Sequence, residues 1–147
     1  MTPASHVVIS AATGGIFLYS THSWAGAVAC FFSGIFIDLD HHLDFYLEKG
    51  KIPLRYSELL YFCEKEKTGK LYLFFHSYEL LALFWLLIMF LHLGYFWSGL
   101  ALGLTTHLIA DQIFNPLKPL GYFLIYRIRN DFDKAKIFVD DFYHSLK

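Results

Sequence analysis

The feature that most constrains this chain is where its cations are absent. All 12 Lys and Arg fall in two segments. Lys49, Lys51, Arg55, Lys65, Lys67 and Lys70 form one group; Lys118, Arg127, Arg129, Lys134, Lys136 and Lys147 form the other. The cation-free parts hold four apolar stretches, about 6–21, 24–41, 71–92 and 96–114. A membrane-spanning helix needs ~20 apolar residues at ~1.5 Å rise each. The third and fourth stretches reach that length. The first two are shorter, and span only with their polar flanks or as a shallow hairpin that thins the bilayer.

Composition supports the same expectation. The chain of 147 residues is 56% hydrophobic and 20% aromatic, above the ~45–50% apolar content of ordinary soluble domains. The sequence therefore predicts an all-α fold: an integral membrane four-helix bundle with interfacial amphipathic helices. It reads as a single membrane domain over 1–147, with lipid as its surroundings. An interfacial connector occupies 43–70, where Tyr56 and Tyr61 suit the headgroup level, and a polar tail occupies 117–147. Cytoplasmic loops carry the Lys/Arg excess, so connector, tail and both termini are expected on the cytoplasmic side. Small residues recur at four-residue spacing in Ala25, Ala29 and Ser33, in Gly26, Cys30 and Gly34, and in Gly99 and Gly103. Such positions let helix backbones approach closely.

Other classes are disfavoured. A net charge of −1 and the lack of a basic stripe argue against nucleic acid. Cys30 and Cys63 make no disulfide framework. Met1–Ser5 has no Lys or Arg, so the first apolar stretch does not read as a cleavable signal.

Up-down connectivity would bring most ionisable groups of the apolar stretches to one end. These are His6; Asp38, Asp40, His41 and His42; His76 and Glu79; and His107 with Asp111. Ionisable side chains inside apolar helices are costly and are usually paired or functional. His and Asp are nitrogen and oxygen ligands of Zn²⁺, Mn²⁺ and Fe²⁺. His107 and Asp111 are spaced i, i+4, and Asp38 stands i+3 and i+4 from His41 and His42, so each set shares a helix face. Bundle cores build metal sites from facing helices in this way. The expected ligands are His6, Asp38, His76, His107 and Asp111, around a divalent metal, zinc first and manganese or iron next. Asp40, His41 or Glu79 would take the proton in catalysis. Taken singly, each motif also has a plain reading as an interhelical hydrogen bond or a solvated helix end. His22, His92 and His144 are read as interfacial or solvated.

The ordered set His6, Asp38-x-Asp40-His41, His76-Ser77 and His107-x-x-x-Asp111 resembles the bacterial LexA-binding, inner-membrane-associated metal-dependent hydrolases. The resemblance covers about residues 5–115. It implies a metal, hydrolysis and a multi-pass protein of the bacterial inner membrane, and it names no substrate. One departure is the Arg-Gly that usually precedes the His-Ser pair, which is Phe74-Phe75 here.

The resulting expectation is a membrane-bound metal-dependent hydrolase of a phosphoester or lipid-linked substrate. Two rivals remain: a non-catalytic protein with a structural His/Asp metal or hydrogen-bond cluster, and a metal transporter. Transport sites lie near the bilayer midplane, whereas these residues gather at helix ends.

Overall fold

The computed structural model describes residues 3–64 and 68–139. Lys65, Lys67, His144 and Lys147 lie outside the described residues. Among the described residues, eight α-helices run in the order α1 (Pro3–Thr21), α2 (Trp24–Phe36), α3 (Asp40–Lys49), α4 (Tyr56–Glu64), α5 (Tyr78–Phe90), α6 (Tyr95–Phe114), α7 (Leu124–Arg129) and α8 (Lys134–Ile137). A 3₁₀ turn, Ile37–Leu39, follows α2. Among the described residues there is no strand, only the isolated bridges Lys70–Asp133 and Leu117–Phe138.

The fold is helical, but the expectation of an integral, multi-pass membrane bundle is overturned. No helix among the described residues is long and apolar enough to cross a membrane. The two most apolar helices, α2 and α5, have 13 residues each, roughly 20 Å at ~1.5 Å per residue against a ~30 Å hydrocarbon core. The two long ones are diluted by polar residues: His6, Ser10 and Thr13 in α1; Thr105, Thr106, His107, Asp111 and Gln112 in α6. The placement in the bacterial inner membrane with both termini cytoplasmic falls with the spans.

The stretch 71–92 shows why the run misleads. Its first part is not helical. Leu71 and Leu73 are buried in a core with Ile137 and Phe138, and α5 begins only at Tyr78. An apolar run was thus divided between two compact units, Met1–Ile37 with Tyr78–Asn115, and Asp38–Ser77 with Pro116–Lys147.

The first unit contains α1, α2, α5 and α6. Its helices meet through small residues. A Cβ at Gly99 would strike the Gly26 carbonyl, and one at Gly103 would strike the Cys30 carbonyl and Ser33 Oγ. Gly26 faces Phe17 and Gly34 faces Ser10, so α1 runs antiparallel to α2 while α2 and α6 run parallel. Ser33 Oγ donates to the Leu100 carbonyl at 2.9 Å. Across α5 and α6, Trp85 Nε1 donates to Thr105 Oγ1 at 3.0 Å, and Tyr78 OH donates to the Leu108 carbonyl at 3.3 Å. The start of α1 and the ends of α2 and α6 therefore share one end of the unit.

The second unit contains α3, α4, α7 and α8. Phe45 of α3 packs on Leu59 and Phe62 of α4. Gly50 ends α3 in the left-handed region at φ 68°, a conformation glycine adopts without steric cost. Asp133 caps α8 by accepting from Ala135 N at 2.9 Å. The Leu71 N–H donates to the Phe132 carbonyl at 2.7 Å, and the Lys134 N–H to the Gly69 carbonyl at 3.1 Å. These bonds tie the segment before α5 to the chain around α8.

Candidate metal centre

Within each unit, a set of His and Asp side chains could hold an ion. In the first unit they are His6, His107 and Asp111. His107 and Asp111 stand one turn apart on α6, and His6 comes from the start of α1. All three are buried. His107 Nε2 is 3.3 Å from Asp111 Oδ2, and His6 Nε2 is 3.3 Å from Asp111 Oδ1. The two imidazoles stack, with centroids 3.9 Å apart and planes within 15°. Each carboxylate oxygen thus faces one ring nitrogen.

The tautomer of His107 follows from its second nitrogen. Nδ1 is 2.8 Å from the Gly34 carbonyl oxygen, an acceptor only, so Nδ1 carries the proton. Nε2 then turns a lone pair toward a carboxylate, which repels unless a cation or an added proton lies between. Asp111 also sits in the last turn of α6, where the helix dipole is negative. A buried carboxylate there calls for positive charge. Two ligands ~2.1 Å from a tetrahedral ion stand roughly 3.4 Å apart, close to the separations observed. The residues present fit a divalent metal.

The second unit places Asp38, His41 and His76 together. Asp38 Oδ1 is 3.7 Å from His41 Nε2 and 3.6 Å from His76 Nε2. His76 is fully buried, whereas the His41 and Asp38 side chains are 26% and 30% exposed. Asp40 is buried and holds His76 in place. Its Oδ2 accepts from Phe75 N at 2.8 Å and His76 N at 3.3 Å, and lies 3.2 Å from His76 Nδ1. A carboxylate on Nδ1 leaves Nε2 as the metal-facing atom, the outer-shell arrangement that orients histidine ligands.

Sequence reasoning placed Asp40 and Glu79 among the proton acceptors. Asp40 is committed to orienting His76. Glu79 lies in the first turn of α5 and belongs to neither ligand group. His42 is exposed and His22 and His92 sit exposed at helix ends. Ser77 is fully buried.

Three important residues were missed. Asp44 is buried one turn after Asp40 and accepts from Tyr72 N at 2.6 Å. Burial pushes its carboxyl up to about 6, even though the bond from Tyr72 N and the nearby Lys134 charge act downward. Lys134, also buried, stands 3.9 Å over the Phe62 ring and donates to the Phe62 carbonyl. Arg127, read from sequence as one of the cations of the polar tail, is fully buried. The i, i+4 spacing of Asp40 and Asp44 was the one available signal; nothing local marks Arg127.

No protein-family model, curated protein or solved structure matches this chain. The functional reading therefore rests on the geometry of these two groups.

Proposed function

We propose that this protein is a hydrolase dependent on a divalent cation, with zinc the first candidate and manganese or iron the alternatives. The motif resemblance to metal-dependent hydrolases belongs to the same proposal. The observation that carries it is shared by His107 and His76. Each has Nδ1 engaged by an oxygen acceptor and Nε2 turned toward an aspartate.

The Asp38–His41–His76 group is the reaction site in this reading, because its partial exposure leaves room for water and substrate. A divalent cation there would supply Lewis acidity to a phosphoryl or acyl oxygen and acidify a neighbouring water. His76 is held by Asp40 as a ligand. Asp38 supplies the charge. His41, at the solvent edge, takes and releases the proton. A phosphoester is the favoured substrate class, with a lipid-linked one as the alternative.

A second role fits the His6–His107–Asp111 group. Side-chain exposures of at most 4% favour a closed, structural ion there.

The test is metal content by mass spectrometry, with hydrolysis of bis(p-nitrophenyl) phosphate measured on the same preparations. Wild type is expected to carry a transition metal and to turn the ester over. His107→Ala and Asp38→Ala should each lose metal, and Asp38→Ala the activity. Wild type without metal after supplementation, and without turnover, sinks the proposal.

A further inference from the structure

Arg127 is 0% exposed, which is rare for arginine. Its Nη1 donates to the carbonyls of His76 and Gly121, each at 3.0 Å, and its Nη2 donates to the Leu73 carbonyl at 2.8 Å. Two of these three acceptors belong to the turn that carries His76. Leu73 sits at φ 42°, in the left-handed region that a leucine occupies only when its surroundings hold it there. The opposite side of the turn is gripped by acids of α3: Asp44 takes the Tyr72 N–H, and Asp40 takes those of Phe75 and His76. The carbonyls point into the guanidinium and the N–H groups point at carboxylates. A planar fork can serve carbonyls from two residues of a strained turn at once; an ammonium on a flexible stem holds no such fixed geometry.

We infer that Arg127 is a positioning residue: it fixes the Leu73–His76 turn so that the His76 ring keeps Nδ1 on Asp40 and presents Nε2 to Asp38. Its consequence for cation binding rests on the proposed hydrolase reading; its consequence for the ring does not. The guanidinium reaches this turn from 51 residues downstream and supports its backbone.

The experiment uses the full chain labelled with ¹⁵N-histidine, in wild type, Arg127→Lys and Arg127→Gln. Ring ¹⁵N shifts report the tautomer of each histidine in cation-free protein, and zinc titration reports affinity. In wild type, His76 should be the Nδ1–H tautomer. Both variants should show mixed tautomers at His76 while His107 stays unchanged. Zinc affinity at the His76 group should fall ~10–100-fold, as for loss of other outer-shell support, with the His6 group unaffected. An unchanged His76 tautomer in a folded variant overturns the inference, as does loss of the fold in both variants, which would make Arg127 merely structural. A shifted tautomer in a protein whose wild type takes up no zinc would uphold the positioning role and sink the hydrolase reading. Zinc uptake with an unmoved tautomer would do the reverse.

Discussion

His107 Nδ1 lies 2.8 Å from the carbonyl oxygen of Gly34, and this bond decides which face of the imidazole meets Asp111. The bond exists because α2 and α6 approach through small residues. Gly103 lies against the Cys30 carbonyl and Ser33 Oγ, where a methyl group has no room. Gly103→Ala should push the helices apart and cost about 1–3 kcal/mol, the range for overpacking a close contact. Urea midpoints give the stability change, and zinc titration should show weaker binding at the His6–His107–Asp111 group. An unchanged midpoint would mean that the helices are not in close contact.

Asp111 is a buried carboxylate facing two imidazoles at the end of a helix. Asp111→Asn keeps the shape and removes the charge. Cation-free Asp111→Asn should be as stable as wild type or more so, because an ionised carboxylate no longer has to be kept out of water. The stabilisation conferred by zinc should shrink at the same time. At a zinc concentration ~100 times Kd, one site contributes about 2.7 kcal/mol. Thermal melts with and without chelator measure the difference; equal zinc-dependent gains in wild type and variant would exclude Asp111 as a ligand.

Asp44 predicts a pH dependence whose sign runs against the usual one for a carboxylate. Its folded-state value is raised from 3.8 to about 6, so protonation favours the folded state. Its contribution is full below pH ~4 and is lost as pH rises through about 6, with a magnitude of about 3 kcal/mol at most. Asp44→Asn retains an oxygen for Tyr72 N and removes the titration. The difference in unfolding free energy between variant and wild type should grow from pH 4 to pH 7, in favour of the variant. Parallel urea curves across that range would show that burial does not raise the carboxyl.

His41 stands at the exposed edge of its group, where substitution disturbs little packing. His41→Gln should leave the melting temperature within a few degrees of wild type. Phosphodiester turnover should drop ~100-fold or more, the scale of a lost general acid–base. Turnover unchanged at every pH would remove His41 from the proposed chemistry.

Much of this molecule was legible in its residues. His, Asp and small residues were visible at helical spacings, and α1 and α6 fall where the apolar pattern places them. The clustering of His107 with Asp111 follows from i, i+4 geometry. The membrane reading failed because hydropathy along a chain does not say which unit a run joins. Leu71 and Leu73 look continuous with Leu80–Leu91, yet they pack against Ile137 and Phe138. The helical reading of 71–77 failed for a related reason. Asp40, Asp44 and Arg127 satisfy that turn's polar groups from a distance, so it has no need of helical bonds.

By itself the sequence determined which residues can carry charge or coordinate a cation, where helices are favourable, and where backbones can touch. These are properties of local spacing and side-chain size. Only the tertiary structure decided that Asp40 orients His76, that Gly34 sets the tautomer of His107, and that Arg127 is buried. Each depends on a hydrogen bond between groups at least 36 residues apart. Such bonds are specific to the packed backbone, because a carbonyl or N–H gains a particular partner only when folding removes water as the alternative.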